Sequence, residues 1–554
     1  MVLISVAPAL CVFLWLCFLL RGSFYCVILP LWEGCDEWSH FAVVENMALH
    51  RRPLIARTEP VSQEVAESLR LTPLPWSLRD YPPPSVTHDA FWSLSSAEQE
   101  QRAARLRALP PEWAARPSPT GPAAYEALQP PLYYWMAAPF AYAVQGRPLV
   151  DRVLLLRFLS VLISSLLVPI SFLIARRCLH RDTPALGVAA LIVCMPELLI
   201  DVSRVGNECL AVVLYAGFLY LFLRAISNLG DRRTAMGAGL LLGAGLLTKA
   251  YFLAALPAAL LLWAILAWRR PDCRKSILRQ AAIVLGIACA MAGWWYVRNL
   301  LLTGTWTGLS EAMLLRREPL PQLLARIPQV DWRNAVDSIL LSHVWFGAWS
   351  SLQVRSWIYH FFFLAGMLGF LGLLRRPLTL HTGTLASFYA LFWVGQLYNV
   401  LLLFASKGAS TSMGWYMYAV VSAEVMLVLT GLGWHRRVIS AAIFCFLALD
   451  LYTVHFVSIP YYTGLIRHKP GGALAAFHLS QFPAIPFDMI LERLLMTKPS
   501  FLTPEDLFVL WGLFLLATLA PLLAPALAIP QAAPAALGAL PQTDHTRAGM
   551  KLVG

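Results

Sequence analysis

A chain of 554 residues in which 58% are apolar or aromatic and only 13% charged has too much apolar surface for a soluble enzyme, and its mean hydropathy of +0.62 makes a bilayer its solvent. The formal charge of +12 does not describe a basic face: Lys and Arg fall in short clusters between apolar runs of about 20 residues, the mark of spanning helices with a cytoplasmic positive bias. Nucleic acid is therefore disfavoured as a partner, and the ten cysteines, scattered singly without CxxC or metal-like spacing, read as small core residues.

Along the chain, apolar runs near residues 2–20, 153–175, 184–202, 208–227, 235–248, 250–268, 277–297, 356–374, 383–405, 416–433, 437–459 and 507–529 predict twelve spans. The first resembles a signal peptide but lacks a basic n-region and an A-x-A site, and is read as a helix. The run 132–144 opens with Pro130-Pro131, is too short to cross, and is predicted to lie in the interface. Alternate short connections hold fifteen basic residues (for example Arg176, Arg177, Arg232, Arg233, Arg269, Arg270, Arg375, Arg376, Arg436, Arg437), whereas the intervening ones hold only Arg204, Lys249 and Lys407. The asymmetry places the first set in the cytoplasm, with both termini, and places three long segments outside: 21–152, 298–355 and 460–506. Arg21, at the outer end of the first run, is the discordant charge. The tail after 530 is Pro and Ala rich and is read as disordered. There is no internal duplication of the kind found in many transporters.

The outer segments carry the polar chemistry. Directly after the first run comes Trp32-Glu33-Gly34-Cys35-Asp36-Glu37-Trp38-Ser39-His40-Phe41, continuing to Glu45. With a helix starting at Asp36, Glu37 and His40 fall on neighbouring turns; such carboxylates serve as a general base or metal ligand, or simply as a helix-capping acid. Next is Tyr125-Glu126-Ala127-Leu128-Gln129-Pro130-Pro131-Leu132-Tyr133-Tyr134-Trp135, whose aromatics also fit a plain interfacial belt. Arg204-Val205-Gly206-Asn207-Glu208, Leu247-Thr248-Lys249, Arg298-Asn299, Trp345-Phe346-Gly347-Ala348-Trp349 and Gly414-Trp415-Tyr416-Met417 follow. Each ionisable group among them is a functional candidate or a snorkelling anchor.

The ordered set resembles the GT-C superfamily of polytopic glycosyltransferases, in its protein O-mannosyltransferase and lipid A aminoarabinose transferase-like branch, over residues 1–435. The D-E pair is matched by Asp36-Glu37, the K-P-P-like segment by Gln129 to Trp135, the N-D pair by Asn207-Glu208, L-T-K by Leu247 to Lys249 and R-N by Arg298-Asn299. Gln129 stands where some members have Lys, Glu208 in place of Asp, and Trp415 in place of Arg. The resemblance implies an all-α polytopic fold: a catalytic module over 1–435, C-terminal helices over 436–529 and the tail 530–554. It implies transfer of a polyprenyl-phosphate-linked sugar to a hydroxyl acceptor (protein, lipid or glycan), inverting, outside the plasma, inner or ER membrane and among its lipids. Asp36 is the expected base, with Glu37 and Glu208 as further catalytic carboxylates. Arg298 and Lys249 are expected to stabilise the leaving phosphate, and Glu126, Gln129, Tyr133, Asn207, Asn299 and Trp345 to line the substrate site, with Trp32 and Trp38 as further stacking platforms. A divalent metal held by Glu37 and His40 is the alternative source of positive charge. A lipid or solute transporter and a non-catalytic partner in a cell-envelope assembly are the rival readings; mid-membrane charge and paired broken helices would mark the first.

Overall fold

The computed structural model describes residues 6–52 and 59–523, so the tail read as disordered lies outside the described residues. The described chain is mostly helical; its strands are one parallel pair, with Pro73 opposite Val86 and Leu74 opposite Thr87. Among the described residues ten helices are long and apolar enough to cross a membrane, eleven when the bent pair Asp182–Cys194 and Pro196–Val202 is taken as one span. The fifth predicted run, 235–248, folds as Arg232–Leu246, a helix of 15 residues. At about 1.5 Å per residue it is shorter than the hydrocarbon core. The chain breaks after it at Lys249, which is extended rather than helical.

Each boundary has a local cause. Asp231 accepts the amide of Thr234 and starts the short helix. Thr379 and Thr382 form a reciprocal cap for Leu380–Lys407, which Gly408 closes at φ 72°. Pro196, at the bend of 63°, has no N–H to continue the preceding ladder. The short helix packs through small residues: a side chain at Gly239 would put its Cβ 2.9 Å from the carbonyl oxygen of Val284 on Pro271–Thr303. The stretch Leu132–Ala143 is one helix that does not pass as a span, as its length predicts.

The first helix departs from its sequence reading. It runs Ala7–Ile28, and Arg21 lies within it, wholly buried, with Nη2 2.6 Å from Asp450 on the helix Arg436–Tyr462. Arg21 is therefore a buried partner in an ion pair and not a charge at the membrane surface. Phe24 stacks on Phe514 at 4.2 Å, which docks the last span, Pro504–Leu523, against the first.

The three long segments pack together into one layer. The carboxylate of Glu33 accepts the amide and hydroxyl of Ser350 at 2.9 and 3.0 Å. Asp89 accepts the amide of His468 at 2.7 Å, and Trp92 Nε1 donates to the Tyr462 carbonyl at 3.1 Å. Connections from this layer meet the ends of several helices, and the candidate site lies there.

Candidate active site

The helix Glu37–His50 begins one residue after Asp36, whose backbone is left-handed at φ 58°. In that conformation Asp36 does not cap its own helix. Its Oδ1 instead accepts the phenol of Tyr125 at 2.6 Å. Glu37 points the other way and is wholly buried: its two oxygens take Arg157 Nε at 2.7 Å and Nη2 at 2.6 Å, and Oε1 also accepts the amide of Val205 at 3.0 Å. Arg157 spends its other donors on the carbonyls of Cys26, Leu29 and Pro30. This bidentate pair bolts the chain after the first span to the helix Leu149–Leu179.

His40, one turn on, has Nδ1 2.9 Å from the Tyr134 hydroxyl and Nε2 3.6 Å from Glu126 Oε2. Burial, then the charges of Arg204 and Lys249, hold its imidazole well below the ordinary range, so it is neutral. The two residues named as metal ligands thus serve separate partners, Glu37 a guanidinium and His40 a phenol and a carboxyl. Among the described residues no group of three or more His, Cys, Asp or Glu side chains is arranged to hold a metal ion.

Glu126 sits in the short turn Tyr125–Leu128 ahead of the interfacial helix. Its amide donates to Ser39 Oγ at 3.0 Å, tying the turn to the start of the acidic helix. Burial first, then the neighbouring charge of Asp36, push the Glu126 carboxyl up to about 8, so it keeps a proton at neutral pH. Gln129 hydrogen-bonds this carboxyl, and its own Oε1 is buried without a partner. A buried free acceptor of that kind suits a ligand hydroxyl.

The third element is the break between Pro196–Val202 and Glu208–Ser227. Arg204 Nη2 lies 2.7 Å from Asp201 and 3.3 Å from Glu208, and another of its nitrogens donates to the Cys35 carbonyl. Lys249, arriving from the break after the short helix, pairs with Glu208 and donates to Asn207 Oδ1 at 3.3 Å. Its ammonium stands 5.1 Å from the ring of Tyr416 and 5.6 Å from that of Tyr251. Burial, then the charge of Arg204, draw Lys249 down to about 8. Asn207 also donates to the Thr248 carbonyl at 3.0 Å, joining the two breaks.

Asp36, Glu126, Asn207, Glu208, Lys249 and Gln129 are thereby gathered by four chain segments. The other expected site residues have contacts of their own. Tyr133 is buried; its hydroxyl accepts the amide of Gly206 at 3.2 Å and meets Ser160 at 3.3 Å, a brace for the Arg204 turn. Trp345 and Trp32 are wholly buried, donating to the Leu352 carbonyl at 2.6 Å and to Ser68 at 2.9 Å, and Trp38 is 4% exposed, so none offers an open stacking face. Asn299 donates to the Thr307 carbonyl at 3.1 Å. Arg298 stands 4.8 Å over Trp295 and touches Asn299 Oδ1 at 3.3 Å, with no carboxylate partner among the described residues. Trp294, on the same turn, stacks on Trp135 at 6.0 Å and brings Arg298's helix to the edge of the interfacial one.

Sequence reasoning missed Asp201, Tyr125, Tyr134 and Arg157 as members of this network. Arg157 and Asp201 left a signal, each being an ionisable group inside an apolar run. The two phenols left none, because aromatics beside Pro130-Pro131 fit an interfacial belt equally well.

Residues 128–296 match the family described as dolichyl-phosphate-mannose-protein mannosyltransferase. This match bears out the GT-C resemblance and the enzyme class it implies, a glycosyltransferase. It spans Gln129, Asn207, Glu208 and Lys249, whereas Asp36 and Arg298 lie outside it. No curated protein matches the chain. Among solved structures the chain is similar to ArnT from Cupriavidus metallidurans bound to undecaprenyl phosphate, at 12% identity and TM-score 0.46 over 93% of this chain and 77% of that one. It is also similar to the Archaeoglobus fulgidus oligosaccharyltransferase in its apo form, at 14% identity and TM-score 0.40 over 92% and 56% of the two chains. The archaeal AglB from Archaeoglobus fulgidus in complex with an inhibitory peptide and a dolichol-phosphate gives 13% identity and TM-score 0.38, over 91% and 56%.

Proposed function

We propose that this glycosyltransferase moves a sugar from a polyprenyl-phosphate donor to an acceptor hydroxyl, with inversion, at the extracytoplasmic end of its helices. The observation that carries the reading is the division of labour among carboxylates. Asp201 and Glu208 are taken up by Arg204 and Lys249, Glu37 by Arg157, and Glu126 holds its proton. Asp36 is in no ion pair among the described residues, is partly exposed, and has one oxygen held by a phenol. It is the carboxylate free to act as a base.

In this scheme Asp36 takes the proton of the acceptor hydroxyl while that oxygen attacks the anomeric carbon from the face opposite the phosphate. The bond from the anomeric carbon to the phosphate oxygen breaks, and polyprenyl phosphate leaves with the electron pair. A phosphate leaving group needs cationic stabilisation and no general acid. Arg298 is suited to supply it, since its guanidinium is bound to no carboxylate among the described residues and its geometry matches phosphate oxygens. Lys249 lends charge through a pair already shared with Glu208. Glu126 with its proton, and Gln129 through its free Oε1, suit hydroxyl groups of the sugar.

Two sets of contacts support the orientation. The sparsely basic connections meet at Asp36, Arg204, Lys249 and Tyr416, at one end of the helices. Two of the Arg-rich connections, around 224–233 and 375–381, are linked at the other end, where Ser227 Oγ meets His381 Nε2 at 2.8 Å. The transporter reading calls for paired broken helices, whereas the described residues hold a single bent pair, Asp182–Cys194 with Pro196–Val202.

Purified protein in nanodiscs, given radiolabelled polyprenyl-phosphate sugars and hydroxyl acceptors, should yield a labelled glycoside of inverted anomeric configuration. Arg298→Lys should raise the donor KM and cut kcat/KM by about 10-fold or more. Retention of configuration, or an Arg298→Lys enzyme with unaltered donor kinetics, would contradict the scheme.

A further inference from the structure

Asp36 combines two features that its helix does not require. A left-handed backbone at a non-glycine residue is disfavoured and persists only where the surroundings impose it. Here it withdraws the carboxylate from its own helix, which goes without a side-chain cap. Neighbouring side chains impose it here. Tyr125 donates to Asp36 Oδ1 at 2.6 Å, and its ring meets Trp38 edge to face at 5.2 Å. The next residue fixes the turn twice more: the Glu126 amide on Ser39 Oγ at 3.0 Å, and its carbonyl under the Tyr134 hydroxyl at 3.3 Å. The phenol is therefore set by three contacts to the acidic and interfacial helices before any substrate arrives.

We infer that Tyr125 is a positioning residue for Asp36: its hydroxyl fixes Oδ1 and leaves Oδ2 as the oxygen presented to the acceptor. This rests on Asp36 being the base. A carboxylate with one oxygen held has one rotational setting in place of several, and the reacting oxygen meets the acceptor in a near-attack arrangement more of the time. Tyr125 touches no reacting atom in this account. Its effect passes wholly through Asp36, which gives the inference a signature that loss of packing lacks.

The test is a double-mutant cycle on detergent-purified full-length protein, with kcat and donor KM measured separately and folding followed by thermal melting. Tyr125→Phe removes one hydroxyl and should lower kcat about 10-fold with donor KM and melting midpoint near wild type. In the Asp36→Asn background the same change should have almost no further effect. Trp38→Phe, which keeps the hydrogen bond but loosens the ring, should lower kcat by about 2- to 3-fold, also only when Asp36 is present, and repeats the test if Tyr125→Phe does not fold. Full kcat in Tyr125→Phe, or equal fractional losses with and without the Asp36 carboxylate, would overturn the inference while leaving Asp36 as the base. A near wild-type Asp36→Asn enzyme would overturn the base assignment itself, and the positioning role with it.

Discussion

Glu126 shows how a residue's surroundings settle its role. A carboxyl raised to about 8 by burial and by Asp36 favours its neutral form in the folded protein. The unfolded chain, with its carboxyl near the ordinary value, has already lost that proton by about pH 5. Between these limits the folded state binds more protons than the unfolded one, so stability falls as pH rises and the loss is complete only above the folded value. The melting midpoint should therefore decline from pH 5.5 to 8.5, and Glu126→Gln, which copies the neutral form, should flatten that decline. An identical pH profile for the variant would show that Glu126 is ionised in the native protein. At this scale much was legible: Asp36, Glu37 and His40 stand out as ionisable residues soon after an apolar run. Their division of labour was not, because the partner that occupies Glu37, Arg157, is 120 residues away, and spacing along one helix says nothing of a guanidinium arriving from another.

Among the elements, helix breaks matter more than helices. The Pro196 bend, the gap before Glu208 and the extended residue Lys249 each deliver a polar side chain to one place. Apolar runs gave the helices and their order well, and the non-crossing stretch 132–144 was read correctly from its length. The run 235–248 folds as a helix of small residues shorter than the other predicted runs, and one reading needed correction: Arg21 belongs to the interior because the first helix continues to Ile28. Hydropathy averages over a window and does not register where a helix begins or ends. The short helix sits where it does through its glycines. Gly239→Val would press against the backbone of Val284 and should cost about 1–3 kcal/mol, the usual penalty for overpacking. Since that helix leads into Lys249, activity should fall along with thermal stability. A Gly239→Val enzyme as stable as wild type would show that the two helices do not pack this closely.

For the whole molecule, sidedness follows from charge. If the Arg-rich connections are cytoplasmic, the native Cys273, half-buried in the turn Pro271–Cys273, should react with an impermeant maleimide only after permeabilisation. A cysteine at the exposed Ala115 should react in intact cells; the reverse pattern would invert the topology and the proposed face. How the three long segments join was beyond the sequence, since Glu33 to Ser350 and Asp89 to His468 are contacts across more than 300 residues. That layer and the helix breaks beneath it converge on Asp36. The most direct measurement is single-turnover sugar transfer by Asp36→Asn beside wild type, with donor binding measured on the same samples. Transfer should fall by about 100-fold or more with donor affinity and melting midpoint unchanged, in line with loss of a general base. Transfer at a near wild-type rate would contradict the assignment.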